Sequence, residues 1–129
     1  MTGEVIYERR LHHHETDSDG VCHFSNYFRI VEESFDQLTR SKLQPMEALP
    51  HAFAVVDTKC RYARPIRHGD MFKVRLEKLD VRRSFLDLGV AICVGEEVHA
   101  FAEARFAAVD KQTNRSLPID SGFRTIIAE

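Results

Sequence analysis

Asp17-Ser18-Asp19-Gly20 is an acidic, glycine-containing turn standing directly before an apolar run that opens with Phe24. The spacing predicts that carboxylates, a bend and the first free backbone N–H groups of a helix lie close together. Helix N-termini carry roughly half a positive charge and up to about four unpaired donors. Such a place can hold a base or nucleophile beside a ready-made oxyanion site. Asp17 is the leading carboxylate, because the helix dipole favours its charged form, and a general base contributes roughly 10²–10⁴-fold in rate. The backbone N–H of Phe24, with that of Ser25 second, is expected to meet a developing oxyanion. Losing one such donor typically costs about 3–4 kcal/mol. Gly20 permits the bend between Asp17 and the helix. An aspartate before a helix is also an ordinary turn residue, and spacing alone leaves both readings open.

Other reactive side chains carry weaker arguments. Cys22 and His23 adjoin the acidic turn, but neighbouring residues point in different directions in most backbone conformations, which argues against a Cys–His nucleophile. His12-His13-His14 falls in a predicted strand. There His12 and His14 share one face and His13 the other, with no fourth ligand spaced to help, so surface or pocket-edge histidines are expected and no metal site. Glu32 and Glu33 fall on the polar side of the helix and are expected to be solvated charges. Arg82-Arg83 sits at a predicted hairpin turn. Guanidinium groups bind phosphates bidentately, though exposed arginine pairs on turns are also common.

The elements that must position these residues are legible from periodicity. Residues 4–13 place Val5, Tyr7 and Leu11 among charges, as a first strand. Phe24, Tyr27, Phe28, Val31, Phe35 and Leu38 recur at three- and four-residue spacing, one apolar stripe on an amphipathic helix. Pro45 and Pro50 mark the loop after it. Residues 52–64 alternate with period two, as a half-buried strand. From Phe72 to Val81 the alternation slips by one residue near Lys78, which predicts a β-bulge. A strand from Leu86 to Val94, a compact hairpin at Gly95-Glu96 and a strand over 97–109 follow. That last strand presents Val98, Ala100, Ala102, Ala104, Phe106 and Ala108 on one face, a small-residue surface that lets a helix approach a sheet closely. A short helix is expected from about Pro118 to Ile127. This order implies an α+β fold: a five-stranded antiparallel sheet wrapped around one long central helix.

The chain has 129 residues, enough for one domain spanning 1–129 with a real core. Its 18 basic and 20 acidic residues exert no global pull toward nucleic acid. No apolar run approaches the roughly 20 residues that span a bilayer, and the first residues lack the layout of a secretory signal. Three scattered cysteines without a C-x-x-C pair argue against a disulfide framework. A soluble cytoplasmic protein, with no nucleic-acid or membrane partner, is expected.

The stretch from Glu15 to Phe28 resembles the signature of the 4-hydroxybenzoyl-CoA thioesterase family of hotdog-fold proteins. In that family an acidic D-x-D turn leads into a glycine and a valine, an aromatic pair and N-Y. Here Glu15 and Asp17 take the acidic positions, and Gly20, Val21, Asn26 and Tyr27 fall at the expected offsets. His23 fills an aromatic slot and departs from the pattern, with consequences for the acyl pocket. A second element, Y-x-x-P-x-x-x-G-D, is matched by Tyr62, Pro65, Gly69 and Asp70, and the resemblance covers essentially the whole chain. It implies that Asp17 attacks a thioester carbonyl or activates a water toward it. It further implies that Arg82 and Arg83 hold coenzyme A phosphates, and that Phe24, Tyr27 and Tyr62 contribute to the acyl pocket. No metal or redox cofactor is implied; coenzyme A belongs to the substrate. The family's edge-to-edge pairing implies a homodimer with sites between protomers, extending to a homotetramer. Three alternatives stay open: an acyl carrier protein in place of coenzyme A, a hydratase or dehydratase of the same fold, and a non-catalytic acyl-binding module.

Overall fold

The computed structural model describes residues 2–42 and 45–127. Strand β1 (Val5–Arg10) leads through a 3-10 turn (His13–Glu15) and a loop into helix α1 (Asn26–Lys42). A second 3-10 turn (Met46–Ala48) precedes β2 (Ala52–Tyr62), β3 (Met71–Val81), β4 (Phe85–Val94), β5 (Glu97–Val109) and helix α2 (Ser121–Ile127). The strands form one sheet in the order β1-β3-β4-β5-β2, with every neighbouring pair antiparallel. The α+β class and five antiparallel strands agree with the sequence reading and are consistent with the hotdog fold.

The sheet register follows the side-chain pattern closely. Pairing between β3 and β4 jumps from Leu76↔Val90 to Lys78↔Gly89, so the bulge lies where the alternation slips. Gly89 leaves room opposite it, because a Cβ there would stand 3.0 Å from the Lys78 Cβ, closer than ordinary van der Waals contact. The even row of β5 is buried from Ala100 to Ala108, and α1 packs on that strand and on β1. Phe35 of α1 stacks on Phe106 of β5 with ring centroids 4.4 Å apart.

Helix α1 is 17 residues long and has no glycine or proline inside it, so nothing interrupts its ladder. Its buried stripe is Tyr27, Ile30, Val31, Ser34, Phe35, Leu38 and Thr39. The Ser34 and Thr39 hydroxyls donate to the carbonyls of Ile30 and Asp36, which makes their burial tolerable. Helix α2 is capped by Asp120, whose Oδ2 accepts from the Phe123 N–H at 3.0 Å. Its Phe123 and Ile127 close the core near Phe35 and Phe53.

Four boundaries differ from expectation, one of them that of helix α2, which begins at Ser121 after its Asp120 cap rather than at about Pro118. Strand β1 stops at Arg10 rather than running to residue 13. Leu11 turns into the core, its N–H donating to the Asp70 carbonyl, and the histidine run enters the 3-10 turn. Helix α1 begins at Asn26, so Phe24 lies in the preceding turn and exposes 65 % of its surface instead of joining the stripe. Strand β2 ends at Tyr62 and lacks the half-buried alternation predicted for it. It is a sheet edge, its register shifts between Val55 and Asp57, and both of its side-chain rows are largely open.

Candidate active site

The segment from Glu15 to Asn26 is a small hairpin folded against the entrance to β3. Thr16 pairs with Cys22 and Val21 with Arg67, while the Asp17 N–H donates to the Val21 carbonyl at 2.8 Å. The Cys22 N–H donates to Ile66, and the His68 N–H donates back to Gly20. Gly20 closes the bend at φ +78°, a left-handed conformation that favours glycine. Asp17 is half-buried at the head of this hairpin. Its Oδ1 accepts from the Asp19 N–H at 2.8 Å and the Val21 N–H at 3.4 Å, while Oδ2 has no partner among the described residues. One carboxylate oxygen is therefore fixed by the backbone and the other left open.

The two candidate oxyanion donors differ. The Ser25 N–H donates to Nδ1 of His23 at 3.2 Å, and the Ser25 hydroxyl lies 2.8 Å from the same nitrogen. The Phe24 N–H has no acceptor among the described residues. Phe24 is thus the freer donor, in a turn just before α1 rather than within the helix as expected. The His23 ring lies against the Phe24 ring, centroids 4.5 Å apart. Because Nδ1 accepts from a backbone N–H, a neutral His23 carries its proton on Nε2.

Tyr27 and Tyr62 come together next to this hairpin, edge to face at 4.8 Å. Tyr27 is buried, which pushes its phenol well above the ordinary value, whereas Tyr62 is 48 % exposed at the end of β2. The Cys22 thiol donates weakly to the His23 carbonyl at 3.6 Å, and burial raises its pKa to about 11. A thiol held neutral in this way is a poor nucleophile.

Beneath the hairpin lies an ion cluster absent from the sequence reading. Glu15 is 1 % exposed, and its two carboxylate oxygens each accept from Arg9 at 2.7 Å in a bidentate fork. Its Oε1 also accepts from the His12 N–H at 2.9 Å. Burial alone would raise the Glu15 pKa, but the Arg9 fork and the His12 N–H outweigh it and hold the carboxyl below its usual range. Arg9 also donates to Glu33 at 2.9 Å, and Tyr7 donates its hydroxyl to Glu33 at 3.1 Å. Glu33 is therefore a bonded partner and not the solvated helix charge expected of it; Glu32 is exposed, as expected. The histidine run divides, His12 against His14 at 5.3 Å and His13 against His68 at 5.1 Å.

Arg82 and Arg83 do not join the site within one chain. They lie in the turn between β3 and β4, whereas the Asp17 hairpin packs at the opposite end of β3. Eleven residues of strand separate them, about 36 Å at roughly 3.3 Å per residue. Arg82 is paired with Asp80 at 3.0 Å, and Arg124 donates to the carbonyls of both arginines. A cleft of about 830 Å³ is also elsewhere: it runs between α1 and β2 over Phe53, Val55, Phe106 and Met46, with a charged rim that includes Arg29 and Lys111.

Residues 11–127 match the family model described as the thioesterase-like superfamily. The chain belongs to that superfamily. A protein of Aquifex aeolicus (strain VF5), named "Putative esterase", is 36 % identical over 81 residues, which cover 60 % of this chain and 63 % of that protein. The chain thus matches less than two thirds of that relative's length. A "1,4-dihydroxy-2-naphthoyl-CoA hydrolase" of Prochlorococcus marinus (strain MIT 9313) is 23 % identical, covering 92 % of this chain and 85 % of that one. A solved structure of a gentisyl-coenzyme A thioesterase superposes with a TM-score of 0.86 at 20 % identity, over 96 % of this chain and 100 % of that chain, a likeness of fold. Among the described residues of this thioesterase-like chain, no helix is long and apolar enough to cross a membrane.

The residues missed in the sequence were Arg9 and the acceptor role of Glu15. Twenty-four positions separate Arg9 from Glu33, and nothing in local spacing marks two such charges as partners. The acidic position preceding Asp17 in the motif was the one available signal.

Proposed function

We propose that this chain hydrolyses an acyl-CoA thioester, with Asp17 as the reacting carboxylate and the Phe24 N–H as oxyanion donor. The observation that carries the reading is the Asp17 hairpin itself: Oδ1 held by two backbone N–H groups, Oδ2 open, and an unengaged N–H seven residues on. In one route Oδ2 adds to the thioester carbonyl, expels the coenzyme A thiolate, and water then cleaves the resulting anhydride. In the other, Asp17 takes a proton from water, hydroxide adds to the carbonyl, and the collapsing intermediate expels the thiolate, which receives the proton. Either route develops an oxyanion that a preorganised N–H stabilises.

Hydroxylated aromatic acyl groups head the substrates to be tried. Two relatives carry names of hydrolases for such coenzyme A esters, and Tyr27 with Tyr62 offers an aromatic wall. The reading includes a homodimer, with a tetramer built from it, acting in the cytoplasm as a single domain curled about α1. Strand β2 is an open edge with Val55 and Val56 43 % and 57 % exposed. Antiparallel pairing of two such edges would bring the Ala52 end of one copy beside the Tyr62 end of the other. The cleft along β2 and the Arg82-Arg83 turn of the second copy would then approach the Asp17 hairpin of the first, supplying the phosphate contacts that one chain lacks.

The test is a thiol-release screen over hydroxybenzoyl-, hydroxynaphthoyl- and medium-chain acyl-CoA, with the matching acyl carrier protein thioesters, run beside an enoyl-CoA hydration assay and an acyl-CoA binding titration. Cleavage of a coenzyme A ester supports the reading. Exclusive cleavage of carrier-protein esters replaces the carrier, hydration of an enoyl-CoA points to a dehydratase, and saturable binding without cleavage identifies an acyl-binding module.

A further inference from the structure

We propose that Glu15, clamped by Arg9, is the positioning residue that holds the Asp17 hairpin and the oxyanion turn in mutual register. The inference rests on the thioesterase reading above. Two independent sets of bonds meet at this one residue. Through its carboxylate, Glu15 is locked to β1 by the Arg9 fork at 2.7 Å and 2.7 Å, and to the 3-10 turn by the His12 N–H. Through its carbonyl it accepts from the His23 N–H and from the Asn26 side-chain amide, each at 2.9 Å. Asp17 lies two residues after Glu15, and the Phe24 N–H lies between the two groups that the carbonyl holds. The reacting carboxylate and the oxyanion donor are thereby referred to one buried anchor, which Arg9 ties in turn to α1 through Glu33.

The clamp has no slack. Arg9 lies over the Phe72 ring at 5.0 Å with its side chain 16 % exposed, and Glu15 is 1 % exposed, so the buried carboxylate has no solvent into which to relax. A charged fork of this kind fixes orientation as well as distance. Misplacing a reacting group by about 1 Å can cost roughly 10²-fold in rate. Glu15→Gln keeps the volume but turns one half of the fork into a donor facing a donor.

The experiment measures kcat, KM and amide hydrogen exchange in Glu15→Gln, at a temperature where circular dichroism shows it folded. Tyr7→Phe is the control, since it removes a hydroxyl from the same cluster and leaves the Arg9–Glu15 fork intact. Expected for Glu15→Gln is a kcat loss of about 10- to 100-fold with KM within about threefold, as for a misplaced reacting group. The Asp17 and His23 amides should exchange at least about tenfold faster while β4 amides stay protected. Tyr7→Phe should keep kcat within about threefold. Should Glu15→Gln fail to fold, Arg9→Lys, which keeps the charge and loses the fork, carries the same readouts. Unchanged exchange at Asp17 and His23 overturns the proposal, and so does faster exchange with kcat held while Asp17→Asn is inactive. If Asp17→Asn retains full turnover, the catalytic reading fails instead, and the exchange data alone decide whether Glu15 anchors the hairpin.

Discussion

Replacing Arg9 with methionine keeps most of the side-chain volume against Phe72 and removes the partner of a buried carboxylate. The Arg9 side chain is 16 % exposed and that of Glu15 1 %, so little solvent is available to take over the lost fork. Breaking a buried pair from one side typically costs about 3–5 kcal/mol. For a chain of 129 residues each kcal/mol moves the melting temperature by about 4 °C, which places the expected drop near 12–20 °C. The pH dependence gives a second readout. In the parent protein the Glu15 carboxyl lies below its ordinary range, so its contribution is fully present above the unfolded carboxyl pKa. That contribution is lost as pH falls through the folded value. Without Arg9, burial is left to push the same carboxyl upward, and the folded state then gains from protonation. Calorimetry at pH 8 and pH 5 should therefore show the gap between parent and variant narrowing in acid. A gap below about 3 °C, or one that widens in acid, refutes the idea that Arg9 neutralises a buried charge.

Cys22 should resist alkylation at pH 8 in the folded protein and react once unfolded, because burial pushes its thiol to about 11 and leaves roughly one part in a thousand as thiolate; mass spectrometry after brief iodoacetamide treatment checks this, and Cys22→Ala should keep kcat within about threefold. Changing Arg82 and Arg83 together to alanine should raise KM for acyl-CoA far more than it lowers kcat, with the effect fading at high ionic strength. A pantetheine thioester lacking the nucleotide should be indifferent to that change; an equal rise in KM would show that these arginines do not read nucleotide phosphates.

Elements governed by short-range period were legible in the sequence. The bulge opposite Gly89 follows from a one-residue phase slip, the alanine face of β5 from strict alternation, and the Gly95 hairpin from local turn chemistry. The Asp17 turn was legible for the same reason, since it is nearly closed on itself from Asp17 to Val21. What escaped depends on partners far along the chain. Phe24 has the spacing of a helix core residue, yet the carbonyl of Glu15 captures the His23 N–H and starts the helix two residues later. Glu33 has the pattern of a solvated charge, and only the fold brings Arg9 and Tyr7 to it. Strand β2 alternates in sequence, but its place at the sheet edge decides its exposure. The separation of Arg82-Arg83 from Asp17 is likewise invisible until β3 is laid out between them.

The central claim is that the open oxygen of Asp17 performs or initiates thioester cleavage, and Asp17→Asn tests it most directly. Asparagine is close to isosteric and its side-chain oxygen can still accept from the Asp19 and Val21 N–H groups, so the hairpin should stand. With the best acyl-CoA found in the screen, turnover by stopped thiol-release assay should fall by at least about 100-fold, with the circular dichroism spectrum unchanged. Turnover within about threefold of the parent, on the same substrate and with the fold intact, would contradict the account and remove Asp17 from the reaction.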